Sequence, residues 1–458
     1  MLRTDAQGSE SEDSLLYGVG LYTLGCKVSQ YETEAVGEEF ERHGFQIRSF
    51  EDECDVYVIN TCTVTSESDR KSRQFIRRAV KKNPAAIVMV MGCYSQRAPD
   101  EIAKIPGVSA VVGTENKLSL VSVAEKLLRQ KEGAEIPKQY VSTTDVSRAE
   151  FEKMSITRAP RTRAYVKIED GCESKCTYCA ISGARGRVRS KDRLDVISEV
   201  EALSKSGTRE IVLTGIETAS YGRDFSEKYD LADLICELDA RKSCERLRLG
   251  SLAPELINRD FVERIKNVKI LAPHFHLSLQ SGADNVLRAM KRRYNASQAM
   301  RVIENIRENI PDATFTTDLM VGFPGESESD FEETVGFVKK ARFLDAHVFS
   351  YSRREGTPAA YYENQIPEDV KHERSARLIN VKCEVRDALL DRIVESQRPL
   401  SVVVEAMDAR GCYTAHSDTY VEVRFNSQSQ DLSGKMLELV PVSHKSGIVL
   451  CEYISKYK

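Results

Sequence analysis

The chain has 458 residues, more than the roughly 250–300 at which a single hydrophobic core stops growing, so two or three domains are expected. Hydrophobic residues at 41% and charged residues at 30% are the balance of a folded globular protein and exclude extended disorder. Sixty-six Lys and Arg against seventy Asp and Glu leave −4, which excludes a global basic field for nucleic acid, and no apolar run reaches the roughly 20 residues of a membrane span.

The first fourteen residues are acidic and polar, so a disordered tail over 1–14 is expected rather than a signal peptide. From Tyr17 strands and helices alternate. Apolar β-branched runs at 18–25, 55–60 and 86–92 read as strands, with helices near 29–43 and 66–82 and a further strand–helix pair near 109–130. This is the pattern of a parallel α/β domain over 15–130. Residues 131–157 lack periodicity and read as a linker with one hairpin. A second series over 158–390 carries six strands, at 164–170, 210–215, 246–251, 274–280, 314–322 and 346–351. Helical patterns lie near 192–206, 230–242, 254–267, 295–309 and 328–342, so the series fits either an open doubly wound sheet or an incomplete (β/α)6 barrel. After about residue 391 apolar and polar residues alternate around Gly, Asp and Ser turns, which predicts a small all-β barrel of about five strands over 391–458.

Twelve cysteines in a chain that looks cytoplasmic point to metal or catalytic chemistry rather than disulfides. Cys172, Cys176 and Cys179 are spaced CxxxCxxC just after the first strand of the second series. Three thiolates within eight residues can hold three corners of a metal cluster, whereas zinc would need a fourth, distant ligand. The spacing, with Tyr178 before the last Cys, resembles the radical S-adenosylmethionine (SAM) signature, in which a [4Fe–4S] cluster leaves one iron open for SAM. Gly215, Glu217, Ser251, Gln280 and Asp318 follow or end the other strands, as do Gly322-Phe323-Pro324-Gly325-Glu326, Tyr351 and Arg353, so polar residues collect at one rim. The radical SAM resemblance makes Tyr178, Gly215, Glu217, Ser251, Gln280 and Asp318 candidate SAM contacts, with Gly215 and Glu217 near its amino group.

Cys26, Cys62 and Cys93 each follow a strand of the first domain, which places all three at the C-terminal edge of one sheet, where open α/β folds bind ligands. Cys54 precedes its strand and falls at the opposite edge. Cys236, Cys244, Cys383, Cys412 and Cys451 have no partner spacing and read as packing residues.

Taken together, Cys26, Cys62 and Cys93, then CxxxCxxC, then a terminal barrel resemble the radical SAM methylthiotransferase family along nearly the whole chain. TLGCKVSQYETE, LTGIETASYG and SLQSGADNVLRAMKRRY are similar to the type that acts on N6-threonylcarbamoyladenosine of tRNA. The isopentenyladenosine type usually carries Gln-Met after this first Cys, and the type that modifies a ribosomal-protein aspartate carries Pro-Lys-Asn. Ser29 departs from a usual Asn, and Ser182-Gly183 from a usual Pro-Tyr. The resemblance implies an N-terminal domain, a radical SAM partial barrel and a terminal TRAM domain. It implies two [4Fe–4S] clusters, one on Cys172, Cys176 and Cys179 that cleaves SAM, and an auxiliary one on Cys26, Cys62 and Cys93 that supplies sulfur. It further implies a tRNA anticodon stem-loop as substrate, a flavodoxin- or ferredoxin-like electron donor, and no membrane partner.

The charge needed for RNA has to be local. Residues 69–82 hold seven Lys and Arg and one Asp, and residues 158–191 hold nine and three acids, so each segment is +6 and flanks cluster cysteines. Residues 392–458 hold eight basic and eight acidic residues, and their aromatics Tyr413, Tyr420 and Phe425 read as core positions before they read as base-stacking platforms. A ribosomal-protein modifier would share every cluster ligand, and an iron–sulfur redox sensor that binds RNA would need no open iron or ordered rim.

Overall fold

The computed structural model describes residues 17–133, 139–159, 162–427 and 431–453; the expected tail over 1–14 lies outside these residues. Strand β1 (Gly18–Thr23) leads into helix α1 (Lys27–Arg42), β2 (Gln46–Arg48), β3 (Val56–Thr61), α2 (Ser66–Lys82) and β4 (Ile87–Gly92). Short helices α3 (Cys93–Arg97) and α4 (Pro99–Ala103) precede β5 (Val108–Val112), α5 (Ser119–Glu132) and β6 (Tyr140–Ser142). The six strands form one parallel sheet in the order β2-β1-β3-β4-β5-β6. β3 and β4 are buried at every position, which is why VYVINT and IVMVMG are apolar without alternation. β6 falls in the stretch read as a linker with a hairpin; it adds to the sheet edge as a parallel strand instead. Helix α2 forms where the charge pattern predicts: Thr65 caps it by accepting from the Ser68 amide, Glu67 and Asp69 sit in the first turn, and Lys81 and Lys82 in the last.

The second unit runs β7 (Arg163–Lys167), β8 (Glu169–Asp170), α6 (Ile181–Arg185), β9 (Arg189–Ser190), α7 (Arg193–Lys205), β10 (Glu210–Thr214), α8 (Leu231–Arg241) and β11 (Arg246–Leu249). It continues with β12 (Ser251–Leu252), α9 (Arg259–Ile265), β13 (His274–Gln280), α10 (Asp284–Ala289), α11 (Ala296–Asn309), β14 (Thr314–Val321), α12 (Glu328–Ala341) and β15 (Asp345–Ser350). The sheets β7-β10-β11 and β12-β13-β14-β15 are parallel throughout and follow one another across Gly250. Among the described residues β7 and β15 do not pair, so the six-strand series is an incomplete barrel rather than a doubly wound sheet.

Its inner lining differs from that of a packed (β/α)8 barrel, whose interior is filled by branched apolar side chains. Val166, Leu213, Leu249, Leu277 and Leu319 belong to the main apolar core. The other face turns Arg163, Glu210, Arg248, His274, His276, Thr316 and Asp318 toward one another: Arg248 Nε donates to Glu210 at 2.8 Å, and both His274 and His276 meet Thr316 Oγ1 at 2.9 Å. The interior is therefore polar, and Tyr165, Ser278 and Asp318 within it are partly exposed.

Helix α13 (Glu368–Ser396), 29 residues long and absent from the sequence-based expectations, carries the chain to a closed barrel of β16 (Leu400–Met407), β17 (Cys412–Ser417), β18 (Glu422–Asn426), β19 (Met436–Lys445) and β20 (Ile448–Glu452). The turn at Ser417–Tyr420 plugs the N-terminal end of the partial barrel. Arg248 donates to the Ser417 and Asp418 carbonyls at 3.0 and 2.9 Å, Arg246 donates to Ser401, and the Tyr420 ring stacks on His274 at 4.4 Å. Tyr413 and Phe425 stack on each other in the small barrel's core. All three aromatics are thus consumed in packing.

Glu210 is the carboxylate that holds this seam, receiving Arg246 at 3.4 Å and Arg248 at 2.8 Å. Glu210→Ala leaves those guanidinium groups buried without a counter-charge, a loss of about 3–5 kcal/mol. The expected result is a lower denaturation midpoint with faster proteolytic release of the terminal barrel; an unchanged release rate would show that docking does not depend on this pair.

Candidate active site between two cysteine triads

Cys172, Cys176 and Cys179 lie on the loop between β8 and α6, at the C-terminal mouth of the partial barrel. Each sulfur faces a donor: the Ser174 amide to Cys172, Arg292 Nη1 to Cys176 and the Ile181 amide to Cys179, all at 3.4 Å. N–H groups aimed at sulfur stabilise thiolates and the cluster that binds them. Burial pushes the Cys172 thiol up to about 12 and raises Cys179, so in the metal-free protein both are protonated, and metal binding releases those protons. Among the described residues no three Cys, His, Asp or Glu side chains gather around one point as a single ion requires. Three cysteines with donors at their sulfurs suit a cluster, whose irons occupy separate corners.

Cys26, Cys62 and Cys93 end β1, β3 and β4, which are neighbours in the sheet, so the parallel order brings them to one edge. Gly25 makes the approach of the first two feasible. Its φ is +123°, and a Cβ there would stand 3.1 Å from Cys62 Cβ and 3.1 Å from Ser29 Oγ. Cys26 is exposed, while Cys62 and Cys93 are buried. Burial drives the Cys93 thiol up to about 12 against the pull of Arg185, whose Nε donates to its sulfur at 3.2 Å. Cys54 is buried at the far end of the sheet, against the Ser49 and Asp52 carbonyls.

Arg185 joins the two triads. It lies six residues after Cys179, is fully buried, and besides Cys93 it grips Glu32 of α1 at 2.6 and 3.0 Å and Asp170 of β8 at 3.1 and 3.2 Å. Lys167 bridges the same two acids at 2.9 and 2.6 Å, Lys117 meets Glu152 at 2.8 Å and Arg189 meets Glu115 at 3.0 Å. Four cations thus face four carboxylates across the junction of the two units. Burial alone would raise the Glu32 carboxyl, but Arg185, Lys117 and Lys167 outweigh it and hold the group well below its usual range. None of Glu32, Arg185 and Arg292 was singled out from sequence as a site residue, although Glu32 and Arg292 lie in the segments TLGCKVSQYETE and SLQSGADNVLRAMKRRY that carried the family resemblance.

At the rim, the Glu217 amide donates to Glu169 Oε2 at 2.8 Å, and the Glu217 carboxylate accepts from the Ala253 amide at 2.8 Å. Burial lifts the Glu217 carboxyl to about 7. Glu169 Oε1 is buried with no partner, and a Cβ at Gly215 would stand 2.4 Å from Glu169 Oε2, so this turn is a close cradle with an unmet acceptor. Tyr178 packs edge-on against Phe323 at 6.5 Å. Ser251 opens β12, partly exposed, and Gln280 ends β13 with φ +74°. Asp318 stands apart from this group, within the hollow on β14, where His276 at 3.3 Å and His347 at 3.6 Å hold its carboxyl below the usual range despite burial. The Gly322–Glu326 turn is locked structurally: Glu326 accepts from the Gly322 amide and from Arg374 of α13, both at 2.7 Å.

The two basic segments fare differently. In 158–191, Lys167, Arg185, Arg189 and Lys191 are buried in ion pairs and Arg163 is paired with Glu210 and Glu405, so most of the +6 is neutralised inside the protein. Helix α2 keeps Lys71, Arg77 and Lys81 exposed.

A six-stranded partial barrel with a CxxxCxxC loop at its mouth, joined through Arg185 to a sheet edge that carries three further cysteines, is the architecture of a radical SAM protein. Residues 166–338 match the radical SAM superfamily, and residues 19–113 match Uncharacterized protein family UPF0004. The chain is 38% identical to a threonylcarbamoyladenosine tRNA methylthiotransferase of Bacillus subtilis over 92% of its length and 93% of that protein's. A Thermotoga maritima protein of the same name is 36% identical over 89% of this chain and 91% of its own. A tRNA-2-methylthio-N(6)-dimethylallyladenosine synthase of Clostridium botulinum is 35% identical over 78% of each. The fold is shared with the radical SAM methyltransferase TsrM of Kitasatospora setae, at a TM-score of 0.53 and 14% identity over 86% of this chain and 79% of that one. The chain belongs to the radical SAM tRNA methylthiotransferase family, whose members use two [4Fe–4S] clusters and SAM. No helix among the described residues is long and apolar enough to cross a membrane.

Two outcomes follow from this geometry. In cluster-free protein at pH 8, alkylation mass spectrometry should find Cys26 modified first and Cys93 last of the first triad, because one is exposed and the other is buried with its thiol near 12. Equal rates would mean that the buried edge is open. Glu217 titrates near 7 folded but near roughly 4.3 unfolded, so the folded state keeps an extra proton between those values. Its contribution to stability is present at about pH 4 to 5 and is lost as pH rises through 7. Glu217→Gln should therefore lose most stability relative to wild type near pH 5 and least at pH 8, read from denaturant midpoints; a pH-independent difference would contradict the raised carboxyl.

Proposed function

We propose that the protein inserts a methylthio group at C2 of N6-threonylcarbamoyladenosine at position 37 of tRNA. Cys172, Cys176 and Cys179 hold the cluster that binds SAM, and Cys26, Cys62 and Cys93 hold the auxiliary cluster. The observation that carries this reading is the apposition of the two triads across one buried arginine, with Nε of Arg185 on Cys93 and Arg185 itself only six residues past Cys179. The threonylcarbamoyl substrate is favoured because the relatives of that name are 36–38% identical to this chain, against 35% for the Clostridium botulinum relative named for dimethylallyladenosine.

When loaded, the clusters and SAM supply one-electron chemistry at a C–H bond inert to acids and bases, together with the sulfur that replaces the hydrogen. The chain's own residues arrange the reactants. The cradle of Gly215, Glu217 and the unmet Glu169 oxygen receives the amino end of SAM, and Tyr178 with Phe323 walls the mouth. Arg292 and the Ser174 and Ile181 amides neutralise charge at the thiolates. An anticodon loop presents its base already unstacked, which suits entry into a hollow. The exposed cations of α2 offer phosphate contacts beside Cys62. A small flavodoxin- or ferredoxin-like protein serves as reductant, and the reaction takes place in the cytoplasm with its tRNA. The units over 15–130, 158–390 and 391–458 carry sulfur supply, radical chemistry and RNA positioning in turn.

Mass spectrometry of tRNA nucleosides from cells with and without the gene tests the reading. Deletion should remove 2-methylthio-N6-threonylcarbamoyladenosine. Alanine at Cys172, Cys176 and Cys179 or at Cys26, Cys62 and Cys93 should fail to restore it, each with roughly half the iron. Loss of the methylthio group from dimethylallyladenosine instead would reassign the substrate, and an unchanged tRNA profile would reject a tRNA substrate altogether.

A further inference from the structure

A cavity of about 530 Å3 lies on the seam between the second unit and the terminal barrel, at the end of the partial barrel opposite the cysteine loop. The ends of α11, α12 and α13 wall it, with the start of β14 and the turn at Thr419, whose carbonyl accepts from Thr314 Oγ1. Leu389, Ile393 and Leu400 make part of the lining apolar. Four arginines complete it, and only one of them has a carboxylate partner: Arg398 meets Asp312 at 3.5 Å. Arg307, Arg342 and Arg392 have no carboxylate within ion-pair distance among the described residues. Arg307 donates to the Ala341 and Arg342 carbonyls at 2.6 and 3.2 Å and lies over the Phe315 ring at 4.9 Å, so its guanidinium is fixed. Arg392 donates only within its own helix, to the Ala388 carbonyl at 3.2 Å. Arg342 ends α12 at φ +51°, a left-handed position that most often goes to glycine, so a long cation stands where a helix end usually has no side chain.

Three like charges therefore share one cleft. Burial and the charges of Arg342 and Arg392 press the Arg307 guanidinium down to about 10, against the pull of Glu304, which itself pairs with Lys340 at 3.7 Å. The second acid of the lining, Asp418, accepts from the Thr419 amide at 2.8 Å. Four arginines against Asp312 and Asp418 leave a surplus that remains when Lys340, Glu304 and the exposed Glu395 of α13 are counted as well. Crowded like charges repel until an anion fills the space between them. Guanidinium forks match phosphate oxygens two at a time, and a cavity of this size with an apolar wall takes more than a bare phosphate.

We propose that this cleft binds an organic phosphate, with Arg307, Arg342 and Arg392 on the phosphoryl oxygens and the carbon skeleton against Leu389 and Ile393. An RNA backbone and a free nucleotide both carry that chemistry. The inference stands apart from the substrate reading, because no residue of the cleft belongs to either triad or to the mouth.

The test uses reconstituted full-length protein and the double variant Arg342→Gln with Arg392→Gln, both exposed side chains. Lys205→Gln with Lys242→Gln, exposed and elsewhere on the second unit, makes the same charge change as a control. Two probes are titrated without reductant, a tRNA transcript by fluorescence anisotropy over a series of KCl concentrations, and ADP by calorimetry. If the source is RNA, the slope of log affinity against log salt should shrink by about 0.7–0.9 for each arginine removed. If it is a free nucleotide, ADP affinity should fall by about 10- to 100-fold while the RNA slope stays unchanged. A variant that keeps both the slope and the ADP isotherm overturns the site, as does an equal loss in the lysine control, which would mark net charge alone. Denaturant midpoints in chloride separate the remaining role, capping of helix ends. Removing crowded charges should leave the variant no less stable than wild type, and a clear drop would assign the arginines to capping and overturn the proposal.

Discussion

The constraint on which the rest depends is the buried charge at the junction of the first two units. Glu32 and Lys117 come from the first unit, Lys167, Asp170 and Arg185 from the second, and Glu152 from the segment between them. Charges in such a place are costly to desolvate, and their attraction offsets that cost only when the geometry is met on every side. A displaced interface would strand several ions at once, so the network specifies one docking arrangement more than it adds net stability. That arrangement is what the chemistry needs. With Arg185 anchored between Glu32 and Asp170, the Cys93 edge of the sheet and the loop of Cys172, Cys176 and Cys179 are held in fixed relation.

The polar hollow follows from the same economy of position. An incomplete barrel has an open side, and a dry apolar lining there would leave hydrophobic surface exposed to water. Here the strands turn their apolar faces outward under the helices and line the inside with Arg, Glu, His and Thr. The closed end is sealed by another chain segment, the Ser417–Tyr420 turn, whose carbonyls accept from Arg248. The terminal barrel is therefore part of the wall of the radical SAM unit.

Much of this was legible beforehand, and the parts that were not have identifiable reasons. The helix over 66–82 and the strand over 274–280 were placed to the residue, because a capping Thr with matched end charges, and a strict alternation bounded by Pro and Gly, leave little freedom. The two triads were legible because a cysteine after a parallel strand falls at a known edge. The choice between open sheet and barrel was not, since both place strands and helices in the same order. The alternation in RLRL and HFHLSLQ shows a polar face without saying what it faces. Helix α13 was missed because its apolar positions are scattered, with only Lys371, Arg374, Leu378 and Leu390 buried. Arg185 was missed for a more general reason. A lone arginine in a basic stretch reads as solvated, and only tertiary structure shows Glu32 and Asp170 closing on it.

That reversal also changes how the net charge of −4 bears on RNA. Two segments of +6 suggested a basic track running past both triads. Most of one of them is spent inside the protein, where its cations hold the interface and Arg185 faces the Cys93 sulfur, and it offers little field to an approaching polyanion. Long-range attraction is therefore weak and confined to places such as the outer face of α2. An enzyme with so little non-specific pull on nucleic acid has to gain its discrimination at short range, from the shape and chemistry of the groups it contacts.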